Sequence, residues 1–323
     1  MKRIFSMVIL SIYCVAISLK GTSSLDNLTD LFKNVSITTS SLTDTESSLT
    51  EKEVISKEIP FESAGTITIV NKTGSVKVTG WDKDSLAYEI TKFAANRENL
   101  KKIDIVMGLD PKKANFETKY DERSIKAKVS YVVKVPRKAV LEKISAGSGD
   151  ITIEDVKAAI SAKTGSGEVT LTNVKGPIDA VTGSGSLAIR VDEGSSDSLS
   201  LQTGSGSITI KHAGGSVDAR TGSGSIELDQ RSVPTDTALS LRTGSGNIKL
   251  TLPQDSNATV EGSMGSGKFK SDFKELTQSK KTIVGELGTG GASIELKTGS
   301  GSITIKGSGI KEDTKVPQSI KNK

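Results

Sequence analysis

The chain of 323 residues has few of the side chains on which most site chemistry depends. It contains one cysteine, one histidine and one tryptophan, and aromatic residues make up 4% of it. A single cysteine, Cys14, excludes an intramolecular disulfide and cysteine-ligated metal centres. Histidine-based metal or acid–base chemistry would depend on His212 alone, which we expect to be a solvated loop residue. The sequence therefore predicts no cofactor and no catalytic activity.

Hydrophobic residues and excess charge are also scarce. Hydrophobic residues make up 34% of the chain, which predicts a thin core of Ile, Val, Leu and Ala. The formal net charge of +5 is partly due to Lys2 and Arg3, which we expect to be removed by processing. The remaining surplus is too small to indicate a nucleic-acid partner.

A long apolar run occurs at the amino terminus. Two basic residues precede the run Ile4–Leu19, which ends in a small-x-small pattern. This arrangement is typical of a secretory signal peptide and predicts a periplasmic, secreted or cell-surface protein with no membrane span after cleavage. An uncleaved anchor is the alternative, although the run is short for a spanning helix. Lipidation at Cys14 is disfavoured because Ile12 and Tyr13 precede it, where small residues are expected.

Composition divides the rest of the chain. A stretch rich in Ser and Thr gives way to short alternating apolar runs, which are typical of half-buried strands. A Gly-rich repeat follows, and the chain ends in a polar, basic segment. The predicted parts are a signal peptide (1–19), a disordered spacer (20–57), a β-domain (58–310, with an N-terminal β part 58–142 and repeats 143–310) and a disordered tail (311–323).

The repeat defines the predicted fold. Its Gly-Ser-Gly units start 18, 18, 21, 18, 22, 21 and 34 residues apart, and an alternating apolar run stands on each side of most of them. One such unit cannot bury its apolar face, but stacked units can, which predicts an all-β, parallel β-solenoid of two facing sheets. The preceding β-rich segment would continue or cap it. The predicted corner glycines are Gly147, Gly149, Gly165, Gly167, Gly183, Gly185, Gly204, Gly206, Gly222, Gly224, Gly244, Gly246, Gly265, Gly267, Gly299 and Gly301.

Two properties of glycine suit these corners. Glycine adopts positive φ at no steric cost, and stacked corners leave little room for side chains. The Thr that precedes most corners, as Thr203 does, can donate its hydroxyl hydrogen to neighbouring backbone. The final interval of 34 residues is predicted to hold an irregular or extra coil.

One corner imitates a phosphate-binding loop. Gly262, Gly267 and Lys268 have the spacing G-x-x-x-x-G-K, but Phe269 stands where Ser or Thr would bind magnesium. A helix should follow such a loop, whereas the alternation here predicts a strand. We therefore do not predict nucleotide binding.

The sequence also lacks the regular Asp array of calcium-binding β-rolls. Asp150 follows the first corner, but later corners do not repeat an Asp at that position. An incidental acidic site near Asp150, Glu154 and Asp155 remains open. Trp81 is expected to be a partly buried residue at the end of a strand.

Outward-facing positions before the corners form the candidate binding surface. The position before each Thr gives a surface-binding column, and the position two residues earlier is acidic or Ser. Such a face could bind an anionic or polyhydroxyl polymer, or its charges could serve to prevent sheet-to-sheet aggregation. The candidate column is Lys163, Gln202, Arg220, Arg242 and Lys297; the acid-and-serine column is Ser161, Asp179, Ser200, Asp218, Ser240 and Glu295.

Three segments together resemble a known family. They are "GSVKVTGW", the "KVP" step before the first coil, and the "TGSGSITI" repeats that end in "GASIELKTGSGSITI". Over residues 60–306 the sequence is similar to the bacterial putative adhesin family, the DUF4097 domain of unknown function. This resemblance implies an exported β-helical envelope protein, and it supplies no catalytic residues.

The sequence thus predicts an exported, non-catalytic protein that binds a cell-envelope polymer or an envelope protein through a repetitive face. An envelope-stress sensing or regulatory partner is the first alternative. A polysaccharide-active enzyme is the second, although no pair of carboxylates is marked by its spacing.

Overall fold

The computed structural model describes residues 49–309. The predicted signal peptide, most of the spacer and the tail lie outside the described residues. One five-residue helix, α1 (Arg97–Lys101), and 25 strands make up the regular structure of this part. Twelve strands form sheet A: β1 (Glu51–Pro60), β3 (Val76–Trp81), β4 (Ser85–Ala94), β7 (Ala127–Pro136), β9 (Ile151–Glu154), β11 (Val169–Val174), β13 (Leu187–Val191), β15 (Ile208–Ala213), β17 (Ile226–Gln230), β19 (Ile248–Pro253), β21 (Phe269–Ser271) and β25 (Ile303–Ser308).

Thirteen strands form sheet B: β2 (Thr66–Thr73), β5 (Asp104–Asp110), β6 (Lys113–Lys119), β8 (Val140–Ser148), β10 (Ile160–Ser166), β12 (Ile178–Thr182), β14 (Leu199–Thr203), β16 (Val217–Ser223), β18 (Ala238–Ser245), β20 (Ala258–Ser266), β22 (Thr277–Ser279), β23 (Thr282–Leu287) and β24 (Ala292–Ser300). Each coil contributes one strand to each sheet, and like strands of successive coils pair in parallel. The predicted two-sheet β-solenoid is confirmed.

The core lies between the two sheets. Alternate residues point inward, so Leu199 and Leu201 of β14 and Ile208 and Ile210 of β15 are almost completely buried. The repeats thus build the aliphatic core that the composition predicts. The ring–ring contacts in residues 49–309 lie in the N-terminal part, where the ring of Phe116 contacts Tyr88 and Tyr131 edge to face.

The corners are glycine-rich chiefly because successive coils touch there. A Cβ on Gly222 would lie 2.5 Å from the carbonyl oxygen of Gly204 in the preceding coil, much closer than a real contact allows. Positive φ is found at some corners, such as Gly149 with φ 138°, but not at Gly204 or Gly222. Space, rather than backbone conformation, is therefore the reason for glycine that the corners share.

A ladder of buried Thr hydroxyls joins the coils next to these corners. Each donates a hydrogen bond to the carbonyl oxygen of the second corner glycine in the neighbouring coil, as Thr221 does to Gly206 over 2.8 Å. The predicted role of Thr is confirmed. The six members are Thr164, Thr182, Thr203, Thr221, Thr243 and Thr298, with donor–acceptor distances of 2.7–2.9 Å.

The last two coils stack in reverse of their chain order. In sheet B, β24 lies between β18 and β20, and in sheet A, β25 lies between β19 and β21. The long final interval therefore holds an antiparallel hairpin, β22–β23, that pairs with β20 and returns the chain to the inner position. The C-terminal coil is thus enclosed on both sides instead of ending the stack.

Antiparallel strands flank both ends of the solenoid. At the N-terminal end, β4 and β1 continue sheet A beyond β7, and β5 continues sheet B beyond β6. Strand β1 begins at Glu51, within the stretch predicted to be a disordered spacer. Its polar sequence gave no apolar period because it is an edge strand with mostly exposed side chains.

His212 differs from its predicted setting. It lies inside β15, not in a solvated loop, and its backbone has a φ of 64°. Only 14% of its side chain is exposed, and Nδ1 lies 3.9 Å from a carboxylate oxygen of Glu193. The apparent loop is a bulged strand end that turns the chain into the variable corner.

The Thr ladder leads to a stability prediction. Thr221→Val keeps the β-branched shape but removes the hydrogen bond to Gly206, so the free energy of unfolding should fall by about 1–2 kcal/mol. Urea denaturation followed by circular dichroism would measure the change. Thr209→Val is the matched control, because Thr209 is half-exposed on β15 and should change stability by less than about 0.5 kcal/mol. Equal effects of the two substitutions would show that the hydrogen bond from Thr221 to Gly206 does not stabilise the contact between coils.

Candidate functional site

A groove of about 830 Å³ crosses the outer face of sheet B where its strands begin. It spans the strands from β8 to β24, and the acid-and-serine column lies along it. The groove is shallow because outward side chains at these positions are short. Its place on a parallel sheet means that similar groups recur at the strand spacing of about 4.8 Å.

The predicted surface-binding column is in register. Parallel pairing aligns Lys163, Val181 and Gln202, and then Arg220, Arg242 and Lys297. The acid-and-serine column runs beside it in the order Ser161, Asp179, Ser200, Asp218, Ser240 and Glu295. The structure therefore brings both predicted columns together on one face.

Most cations of this face are paired with its carboxylates. Arg220 donates two hydrogen bonds to Asp218 of its own strand, from Nε to Oδ1 over 3.0 Å and from Nη2 to Oδ2 over 2.7 Å. Arg242 and Lys297 both bind the carboxylate of Glu295. Arg242 contacts Oε2, and Lys297 contacts Oε1. The three cations share two carboxylates, so one net positive charge remains and this part of the face is not a free cationic strip.

The two cations lower the pKa of Glu295. Hydrogen bonds from Lys297 and then Arg242 stabilise its carboxylate and hold its pKa below the usual value. The pair with Arg242 exists because β24 is inserted beside β18. Had the coils stacked in chain order, Glu261 of β20 would take the place of Glu295, and Ser263 would take the place of Lys297.

The opposite half of the groove is less tightly paired. Within residues 49–309, Asp179 in the groove and Lys163 beside it have no ion-pair partner, and Gln202, also beside the groove, makes no side-chain hydrogen bond. Serine hydroxyls occupy the neighbouring positions, at Ser161 and Ser200. This half offers donors and acceptors that a ligand could use.

A third row of groove residues was not predicted. Ser198 and Ser216 stand just before β14 and β16, and Ser293 is the second residue of β24; all three line the groove. Ser198 and Ser216 belong to the connections between coils, whose lengths vary. Counting backwards from each corner, rather than forwards from the preceding strand, would have aligned them.

The remaining predicted features have structural positions. The phosphate-loop imitation spans β20, a glycine corner and β21, so a strand follows it and no helix. Trp81 ends β3, half-buried, with its indole Nε1–H donating to the Ser85 carbonyl and the Lys83 ammonium 4.6 Å from its ring. In the described part of the chain, no group of three or more His, Cys, Asp or Glu side chains is arranged to hold a metal.

The only helical segment in residues 49–309 is far too short to cross a membrane.

Comparisons with known proteins support the family. The family model described as Toastrack DUF4097 matches residues 56–306, which confirms the resemblance found in the sequence. No curated protein matches the chain.

Solved structures give distant matches. A "putative adhesin" from Bacteroides fragilis is 13% identical with a TM-score of 0.42, covering 78% of this chain and 97% of its own. A "putative lipid binding protein" from Parabacteroides distasonis is 17% identical with a TM-score of 0.41, covering 78% and 96%. A "putative cell adhesion protein" from Clostridium sporogenes is 10% identical with a TM-score of 0.25, covering 80% and 100%.

The ion pairs of Glu295 predict a pH dependence. Because its pKa is lowered in the folded state, its contribution to stability is fully present above the unfolded value, near 4.5, and is lost as the pH falls through the folded pKa. Glu295→Gln should be less stable at pH 7 and should lose less stability than the parent protein below pH 4.5. Urea denaturation at several pH values would measure both effects.

Glu142→Gln is the control for removing one negative charge, since Glu142 is exposed in the same groove without an ion-pair partner. It should leave the pH dependence unchanged. Parallel stability–pH curves for the parent protein and Glu295→Gln would show that the ion pairs do not stabilise the fold.

Proposed function

For this chain, which belongs to the Toastrack DUF4097 family, we propose a binding function at the cell envelope. The protein is exported and binds a polyhydroxyl surface polymer, without catalysis, through the outer face of sheet B. The inference that the protein is exported depends on the predicted signal peptide in residues 1–19. The binding step rests on the groove.

One observation supports this function above the others: the groove repeats the same kinds of polar group from coil to coil. Hydroxyls and carboxylates recur in register across its strands. A polymer of repeating units can meet such a row at several points at once, and weak contacts then add to a useful avidity. A compact ligand would use only a fraction of the row.

The ion pairs favour a polyhydroxyl polymer over an anionic one. Asp218 and Glu295 offset two of the three positive charges in these pairs. Glu142 and Asp179 add negative charge to the same groove, so little positive potential is left for an anion. Paired guanidinium and carboxylate groups can still donate and accept hydrogen bonds at their free positions. Sugar hydroxyls, which both donate and accept, fit such a mixed surface.

The same pairs favour binding over catalysis. A general acid at neutral pH needs a raised pKa, whereas the pKa of Glu295 is lowered by its two cations. Asp218 is held by Arg220 in a bidentate pair. Neither carboxylate has the surroundings of a proton donor to a glycosidic oxygen.

The proposal predicts retention of isolated envelope polysaccharide by the purified protein. Arg220→Glu with Arg242→Glu reverses the charges at the centre of the groove and should weaken retention roughly tenfold, the effect of losing about one charge-assisted hydrogen bond. Lys249→Glu is the control, because Lys249 forms a comparable pair with Glu227 on the outer face of sheet A over 2.7 Å. A sedimentation assay with the insoluble polymer would measure retention.

Salt separates the ligand classes in the same assay. Retention of a polyhydroxyl polymer should persist at about 0.5 M salt, where surface charges are strongly screened. Loss of retention in salt would indicate an anionic polymer, and equal loss from Lys249→Glu would move the site off sheet B. Capture of one membrane protein, with no polymer retained, would identify the regulatory alternative. Release of soluble sugar would identify the enzyme.

A further inference from the structure

The two ends of the solenoid differ in how their sheet edges are protected. At the C-terminal end, the edge strands β21 and β22 have three residues each. Phe273 and Leu276, from the segment between them, are buried there. At the N-terminal end, the edge strands β1 and β5 have ten and seven residues. Long edge strands expose rows of unpaired N–H and C=O groups, to which another strand can bind.

Exposed apolar side chains concentrate at the same end. Six large hydrophobic residues are exposed in the described part of the chain, and four of them lie on the two N-terminal edge strands. These are Val54 on β1, and Val106, Met107 and Leu109 on β5, with exposed fractions between 36% and 50%. Val54 and Val106 lie on the outer faces of sheets A and B, and Met107 and Leu109 lie on the inward face of β5.

At this end, sheet A also extends one strand further than sheet B. Beyond the coil of β2 and β3, sheet A continues through β7, β4 and β1, whereas sheet B continues only through β6 and β5. Among residues 49–309, no sheet-B strand therefore lies opposite β1. Ile55 and Ile59, on the inward face of β1, are only partly buried as a result.

We propose that two copies of the chain join end to end at this surface, with β1 of each copy pairing with β5 of the other. A two-fold axis parallel to the strands and midway between the sheets carries sheet A of one copy into line with sheet B of its partner. Each β1 then fills the position that the partner's sheet B lacks. The contact is isologous, the common arrangement of homodimers.

Strand direction is consistent with this arrangement. Two antiparallel pairings separate β1 from β7, and one separates β5 from β6. Because a corner reverses the chain between the two sheets of a coil, β1 and β5 run the same way. Rotation about an axis along the strands preserves that direction, so β1 and the partner's β5 pair in parallel.

A register exists that matches the side chains. Opposing Val54 to Val106 places Lys52 beside Asp104 and Ile55 beside Met107. Inward residues then meet inward residues, because Ile55 pairs with the buried Ile90 and Met107 with the buried Phe116 in their own sheets. One ion pair and two apolar pairs would form in each of the two contacts, and Glu58 would stand opposite Asp110 at the ends of the strands.

In the alternative two-fold arrangement, an edge strand meets the same strand of the partner, and this arrangement fits less well. Its axis is normal to the sheets and brings β1 against the partner's β1. Because sheet A projects one strand further than sheet B, that contact would hold the two β5 edges about two strand widths apart. The apolar side chains of β5 would stay exposed.

Molecular mass tests the proposal first. Light scattering on the size-fractionated protein should give twice the mass of one chain. Met107→Lys places a charge on the inward face of the edge and should shift the protein to the mass of one chain, or raise its dissociation constant at least tenfold. Val284→Lys, an equally exposed Val at the other end, should leave the dimer intact. One chain mass for the parent protein at all concentrations would overturn the proposal, as would loss of the dimer in Val284→Lys.

Cross-linking tests the arrangement without relying on a disruptive variant. In a Cys14→Ser background, a Val54→Cys chain and a Val106→Cys chain are prepared separately and then mixed under oxidising conditions. The register brings these residues within the Cα separation that a disulfide needs, so a covalent dimer should form in the mixture and not in either sample alone. Cross-linking within either sample alone would support the like-edge arrangement and overturn this one.

Discussion

The contact between the backbones of successive corners is the constraint on which this structure depends. A Cβ at most corner glycines would collide with a carbonyl of the neighbouring coil. The corners can therefore approach closely enough for the Thr hydroxyls to reach across, as Thr221 reaches Gly206. That hydrogen bond fixes the register of each coil on the next. Register in turn aligns the aliphatic rows of the core and the polar columns of the outer face.

The sequence predicts what repeats and does not predict what interrupts the repeat. The coil, its corner and the Thr bond follow from the period. The exchanged order of the last two coils does not follow from the period, because the corners at Gly265 and Gly299 are both Gly-Ser-Gly. The residue before each corner does favour the observed order, since Thr298 can donate a hydroxyl hydrogen to Gly246 and Met264 cannot. The hairpin between them decides the order through long-range pairing. Strand β1 was missed for a different reason, since an exposed edge strand has no apolar period.

The candidate site shows the same division. Both outward columns could be predicted, because register makes like positions neighbours. Their charge pairing could not, since Arg242 meets Glu295 only through the inserted strand β24. The insertion places Lys297 rather than Ser263 opposite Arg242, whereas a glutamate would stand opposite Ser240 in either order. If two copies join at their N-terminal ends as proposed, the exchanged sheets would point the two grooves to opposite sides.

The backbone contact between corners can be tested at Gly222, a corner glycine in the middle of the solenoid. Gly222→Ala should lower the free energy of unfolding by about 1–3 kcal/mol or more, because the added methyl group overpacks the contact with Gly204. Ser223→Ala, at the exposed middle position of the same corner, should change it by less than about 0.5 kcal/mol. Urea denaturation of the two variants beside the parent protein measures both. Equal stability of the two variants would contradict the account, since corner packing would then not hold the coils in register.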